Sequence, residues 1–342
     1  MPEPDLLASR PRVLSGMRPT GKPHLGNYMG ALANWVKLQD QYECYFFIAD
    51  WHALTTDYAD TSQMAANTKD VMLDFLAAGL DPEKTVLFLQ SRVLQHAELT
   101  LLLGMITPLG WLERVPSYKE QQENLTNKDL SNYGFLGYPL MQAADILIYQ
   151  PQFVPVGQDQ VAHVELTREV ARRFNQFYKL DGRDVLPEPK VLLTPSPKLP
   201  GTDGRKMSKS YGNTILMTDA EPVVRQKLKT MVTDPARIRR TDAGDPDKCP
   251  VGDLHKVFST PETIAKVYDG CRSAGIGCIE CKSWAANALV QILEPIQARR
   301  AGFSEEQVME ILEDGSSRAR RRAEQTMQEV RAAMRMAQLP SE

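Results

Sequence analysis

Residues 204–213, Gly-Arg-Lys-Met-Ser-Lys-Ser-Tyr-Gly-Asn, set three cations among small side chains, with Gly204 and Gly212 near the edges. Lysines on a mobile loop suit a charge that develops late. Nucleotidyl transfer builds negative charge on the α-phosphate and the departing pyrophosphate, and a loop that closes over them stabilises chiefly the transition state. Two other segments point the same way. In Ser-Gly-Met-Arg-Pro-Thr-Gly-Lys-Pro-His-Leu-Gly-Asn (15–27), Gly16 and Gly21 loosen the backbone, and His24, Gly26 and Asn27 stand where a helix begins. Exposed N–H groups at such a start favour a phosphate. Val-Pro-Val-Gly-Gln-Asp-Gln-Val-Ala-His (154–163) again joins a strand end to a helix start. Neither G-x-x-x-x-G-K-[ST] nor G-x-G-x-x-G occurs, so a nucleotide would be handled by another route.

A second chemistry is written in cysteine. Of 5 Cys, four lie between residues 249 and 281: Cys249, Cys271, Cys278 and Cys281, the last two as C-x-x-C. In a reducing compartment this clustering suggests a metal site more than disulfides. Four thiolates suit tetrahedral zinc or a [4Fe–4S] cluster, and the spacing fits neither the common zinc modules nor the ferredoxin run. Cys44, inside Cys-Tyr-Phe-Phe-Ile-Ala, reads as a small core residue.

The elements that must position these groups come next. Apolar runs at 12–16, 44–49, 85–90, 152–157 and 190–193 read as strands. Residues 24–39 put Leu25, Tyr28, Met29, Leu32, Trp35 and Val36 on one helical face. Thr61 or Ser62 caps a helix running to Ala78, with Gly79 as its stop. Strands alternating with helices imply an α/β fold with a doubly wound parallel sheet, whose ligands sit at the carboxyl ends of the strands. Pro and Gly crowd residues 187–204, which read as a loop or hinge. Beyond about residue 218 only helices are expected, at 262–270, 283–299, 304–313 and 316–337. Arg318, Arg320, Arg321 and Arg322, with the Ala-Arg-Ile-Arg-Arg segment at 236–240, make basic patches suited to a phosphate backbone.

The chain has 342 residues, 42% of them hydrophobic, and a net charge of −3. It is long enough for two domains, and any nucleic-acid contact must be local rather than a property of a polycation. The N-terminal residues lack the apolar stretch of a signal peptide, and no apolar run reaches the length of a membrane span. A cytoplasmic protein is expected.

The Pro-His-Leu-Gly-Asn segment (23–27) looks like the first signature of class I aminoacyl-tRNA synthetases, and Lys-Met-Ser-Lys-Ser (206–210) matches the second letter for letter. More narrowly, residues 15–39, 46–55, 142–150, 154–175 and 206–213 resemble the bacterial tryptophanyl-tRNA synthetases. The resemblance covers roughly 12–215. It departs from the general signature at Asn27, where this subfamily commonly carries asparagine. It implies a Rossmann-like catalytic domain over 1–195, the lysine loop and linker over 196–217, and a helical anticodon-binding domain over 218–342. It also implies two reactions: activation of tryptophan by ATP with Mg²⁺, then transfer to tRNA(Trp).

Carried over, Arg18, Pro19, Thr20, Gly26 and Asn27 would serve ATP, with His24 and Asn27 at its phosphates. Gly157, Gln158 and Asp159 would hold the ribose, Val191 the adenine, and Lys206, Met207, Ser208, Lys209 and Ser210 the phosphates. Asp145 would accept the indole N–H, the one polar handle of that ring, beside Tyr138, Gln142, Gln160 and His52. Tyr138, Gln142 and Asp145 share one helical face. Tyrosyl-tRNA synthetases show a similar trio, so a tyrosyl-type enzyme is one rival reading and a non-catalytic RNA-binding paralogue another. Some members carry a [4Fe–4S] cluster on a closely similar cysteine pattern, which favours the cluster over zinc, and members are homodimers.

Overall fold

The apolar runs form one five-stranded parallel sheet in the computed structural model, which describes residues 10–124, 128–194 and 197–337. The N-terminal reading and the boundary expected at 195/196 lie partly or wholly outside these residues. The strands are β1 (Arg12–Met17), β2 (Glu43–Ile48), β3 (Thr85–Leu89), β4 (Phe153–Val156) and β5 (Lys190–Leu193), in the order β3-β2-β1-β4-β5. β1 pairs with β2 on one side and β4 on the other. The strand order therefore reverses between β1 and β4, and a crevice opens at their carboxyl ends. β2 is buried on both faces from Cys44 to Ile48, which accounts for its unbroken apolar run.

Local chemistry sets the elements around that crevice. The stretch expected as one helix over 24–39 is divided into Leu25–Asn27, a π-helical turn Tyr28–Leu32, and Ala33–Leu38. Its predicted face is nevertheless inward, with Leu25, Leu32 and Trp35 buried. After β2 comes a helix that was not foreseen, Asp50–Asp57; the expected one, Met64–Ala78, starts later than expected and has no side-chain cap at Gln63, but it stops at Gly79 as predicted, with φ +112.

Beyond residue 218 the chain is helical, with two departures. Glu221–Thr230 and Pro250–Phe258 were not foreseen, although each carries a proline in its first turn. The helices expected at 304–313 and 316–337 are one helix, Glu305–Ala333. Gly315 and Ser316 look like a break in sequence; in space they let the helix lie against β3. A Cβ on Gly315 would come within 1.8 Å of the Leu87 carbonyl oxygen, and Ser316 Oγ accepts the Leu89 N–H at 3.3 Å.

These helices bury their apolar residues in the same two clusters that cover the sheet. Leu254, Leu289 and Leu293 join Trp35, Phe46 and Phe75 on one face. Ala319, Ala323 and Met327 join Phe47, Phe88 and Tyr149 on the other. No helix of the described residues is long and apolar enough to cross a membrane.

Candidate active site

At the exit of β1, His24 caps the short Leu25–Asn27 turn. Its Nδ1 accepts the Gly26 N–H at 3.0 Å, while Asn27 Oδ1 accepts the His24 N–H at 3.0 Å. A side chain at 26 would collide with the imidazole, its Cβ only 2.8 Å from His24 Cε1, so glycine is required there. The Gly26 N–H, expected to face a phosphate, is committed to this cap. Burial, reinforced by Lys209 and Lys206, pulls the His24 pKa down to about 4, leaving a neutral imidazole at pH 7.

The lysine loop is stitched to this turn. Leu25 N–H donates to Ile215 O at 2.9 Å and Met217 N–H to Pro23 O at 3.1 Å. Met207 and Ile215 are buried and anchor the loop from below. Asn213 organises it from within: its Oδ1 accepts the Ser208 N–H at 2.8 Å, and its Nδ2 donates to Asp203 at 2.7 Å and to Lys206 O at 3.2 Å. Arg205, one of the three cations, is taken by Asp203 at 2.6 Å and lies 4.2 Å from the Tyr211 ring.

Lys209 reaches across the crevice, its Nζ donating to Gly21 O at 2.7 Å and Thr20 O at 3.1 Å. Gly21, at φ +96, makes that turn possible. Although the stem of Lys209 is exposed, crowding of its ammonium by this loop lowers its pKa to about 8. The buried Asp74 opposes that shift, and Arg18 adds to it. Arg18, Thr20, Lys206 and Ser210 are exposed and Pro19 is buried. Across the switch point, Gly157 opens a turn bearing the exposed Gln158 and Asp159, and Val191 is half-buried on β5.

The other end of the crevice is polar and closed. Asp145, on the helix Tyr133–Leu147, is 1% exposed. Its neighbours Ala143, Ala144, Ile146 and Leu147 are apolar and buried, but the carboxylate meets His52 Nε2 at 2.8 Å, His96 Nδ1 at 2.6 Å and Gln90 Nε2 at 2.9 Å. Burial opposes its charge; the bonds from His52 and His96 outweigh that and hold its pKa well below the usual carboxylate range.

Tyr138 faces a separate chain, its hydroxyl 2.7 Å from Ser117 Oγ, which lies 2.7 Å from His163 Nε2. Burial, helped by His52, lowers the His163 pKa to about 4. Gln142 is half-buried on the same helix, and Gln160 bonds to Asp159 at 3.2 Å rather than to the Asp145 group. Gln90, His96, Ser117, His163 and Asn213 escaped the sequence reading. For Asn213 a signal existed, since it ends the lysine-bearing segment.

All four clustered cysteines line one cavity of about 20 Å³ with Arg237 and Ile276. Burial, and then the other three thiols, push Cys281 up to about 12. Arg237 donates to Cys271 Sγ at 3.7 Å and to Ile276 O at 2.7 Å. Among the described residues no three of His, Cys, Asp and Glu approach closely enough to form a metal-binding group. Cys44 is buried in β2, as expected.

Three arginines of the patch on the last helix bond back to the protein, although Arg320 and Arg321 are exposed. Arg318 donates to Pro82 O at 2.9 Å, Arg320 to Arg92 O at 2.9 Å, and Arg322 to Gln150.

A parallel sheet with its switch between β1 and β4, a histidine-capped turn, and a lysine loop bridged onto it together define a class I aminoacyl-tRNA synthetase. Residues 7–294 match the family model described as tRNA synthetases class I (W and Y). The chain is 52% identical to the tryptophan–tRNA ligase of Thermotoga maritima, covering 95% of this chain and 99% of that one. It is 48% identical to the enzyme of the same name from Ralstonia nicotianae, covering 94% and 98%. The tryptophanyl-tRNA synthetase of Campylobacter jejuni, solved with ADP and tryptophan, superposes with a TM-score of 0.84 at 31% identity, over 95% of this chain and all of that one. The chain belongs to the tryptophan–tRNA ligases.

Proposed function

We propose that the crevice between the two signature loops carries both steps of tryptophanylation. The tryptophan carboxylate attacks the α-phosphorus of ATP, giving tryptophanyl-adenylate and pyrophosphate. The terminal ribose hydroxyl of tRNA(Trp) then takes the aminoacyl group and AMP leaves. The observation that carries this reading is the Lys209 ammonium lying across the crevice on Thr20 and Gly21.

In this reading Lys206 and Lys209 grip the phosphates, with Met207 as anchor and Ser208 and Ser210 beside them. His24, Asn27, Arg18, Pro19, Thr20 and Gly26 shape the triphosphate side, and Gly157, Gln158, Asp159 and Val191 the nucleoside side. Mg²⁺ accompanies the triphosphate and neutralises part of its charge. Asp145 accepts the indole N–H, with His52, Tyr138, Gln142 and Gln160 around the amino acid. A site built to pair such a handle rejects analogues that lack it by about 10⁴–10⁵.

Three regions divide the work: 1–195 for catalysis, 196–217 for closure and 218–342 for the tRNA anticodon. Cys249, Cys271, Cys278 and Cys281 line one cavity and, drawn closer together than in this structure, would hold a [4Fe–4S] cluster, or zinc as the alternative. Such a group would stiffen the helical region. A homodimer is supported by the exposed Leu94, Leu101, Met105 and Leu109, which form an apolar patch around the helix Gln95–Gly104. The enzyme acts in the cytoplasm. ATP–pyrophosphate exchange with each amino acid tests the core of this reading. Tryptophan should drive it, and a response to tyrosine alone would overturn it.

A further inference from the structure

The Asp145 carboxylate lies in the last turn of its helix, where the negative end of the axial dipole faces it, and it is almost fully buried. Both conditions work against its charge, so its donors decide its state. Gln90 is oriented without ambiguity. Its Oε1 accepts the N–H of Trp51 at 3.1 Å and of His52 at 3.4 Å, which turns Nε2 onto both carboxylate oxygens at 2.9 Å.

Tyr149, one helical turn beyond Asp145 and fully buried, places its hydroxyl 2.8 Å from His96 Nε2. Burial, and then the Asp145 charge, keep this phenol protonated. Its O–H donates to Nε2, so the imidazole proton stands on Nδ1, 2.6 Å from Asp145 Oδ1. The opposite tautomer would set a nitrogen lone pair against a carboxylate lone pair. With His52 on Oδ2, each carboxylate oxygen meets two donor nitrogens, Gln90 being shared between the two, and the about four lone-pair positions are all engaged.

We propose that Tyr149 and His96 are positioning residues for amino-acid selection: the hydroxyl fixes the imidazole tautomer, the imidazole holds Asp145 as a pure acceptor, and a ring N–H of the substrate takes over one of the two oxygen contacts that Gln90 Nε2 shares. This rests on the reading of Asp145 as the indole partner. Neither residue acts on the substrate directly; each acts through Asp145.

The test is the ratio of kcat/KM in pyrophosphate exchange for tryptophan over its benzothiophene analogue, in which sulfur replaces the indole N–H. Tyr149→Phe should lower that ratio about tenfold, the loss of roughly one hydrogen bond, through the KM for tryptophan and with the KM for ATP unchanged. His96→Leu should lower it further, and His96→Asn, whose amide N–H stands near the Nδ1 position, should restore most of it. Asp145→Ala is measured alongside. If it leaves the ratio unchanged, the Asp145 reading fails and the relay with it. If it changes the ratio while Tyr149→Phe and His96→Leu do not, or depress both amino acids in proportion, the relay alone is overturned. His96→Asn no better than His96→Leu would also overturn it.

Discussion

In the role proposed for it at the phosphates, Lys209 must be a cation, and its ammonium is crowded enough to titrate near pH 8. The pKa is lowered, so the charge is complete well below that pH and is lost as the pH rises through it. The kcat/KM for ATP in pyrophosphate exchange should therefore show an alkaline limb near pH 8 that disappears in Lys209→Arg, because a guanidinium does not deprotonate in this range. Lys209→Ala should cost about 10²–10³ in kcat, the usual loss for one donor to developing charge. An alkaline limb that persists in Lys209→Arg would assign it to another group. Both lysines were legible because a short local segment carries them. Of the groups on Asp145 only His52 was named beforehand, by the resemblance: Gln90 is 55 residues away in sequence and His96 49, and neither lies in a recognisable pattern.

The last helix shows how an element can be misread. Gly315 and Ser316 signal a break, yet they are the small residues on which Glu305–Ala333 approaches β3. Gly315→Ala gains about 1 kcal/mol of helix propensity in isolation. Here its Cβ would lie 1.8 Å from a backbone oxygen, and overpacking of that kind costs about 1–3 kcal/mol or more. The substitution should lower the denaturation midpoint; a midpoint that rises would mean the helix does not rest on the strand. The π-helical turn after His24 is another feature that periodicity did not reveal. An apolar face survives such a turn, so the pattern still reads as one helix.

Across the whole molecule, two buried histidines set the response to acid. His24 and His163 titrate near 4 in the fold and near 6.5 when unfolded, so the unfolded chain binds the extra protons and stability falls as the pH drops from 6.5 towards 4. Asp74, raised to about 6 by burial, works in the opposite sense, its contribution fading as the pH rises from 3.8 to 6. Two histidines outweigh one carboxyl, for a net loss on the order of 3 kcal/mol. Urea midpoints measured from pH 7 to 4 should fall, and a flat profile would refute the burial of these rings.

The helix Cys278–Ala301 links distant parts. It begins at two of the clustered cysteines, and its Gln297 donates to Met217 O and Asp219 O, both at 2.9 Å, where the lysine loop ends. Cys278→Ser should weaken aminoacylation more than amino-acid activation. Equal losses would mean the cysteine cluster acts on the lysine loop through this helix rather than on tRNA.

The sequence alone determined the alternating strands and where the two signature loops and the cysteine cluster lie, because each depends on periodicity or on residues close together in the chain; Asp145 was singled out by the family resemblance. The tertiary structure alone decided that Gln90 and His96 close around the Asp145 carboxylate, how Asn213 ties the lysine loop, and that Arg318 and Arg320 of the last helix bond the carbonyls of Pro82 and Arg92 on either side of β3. Buried hydrogen bonds and close backbone contacts join residues far apart in the chain, and no local pattern records where those partners will meet.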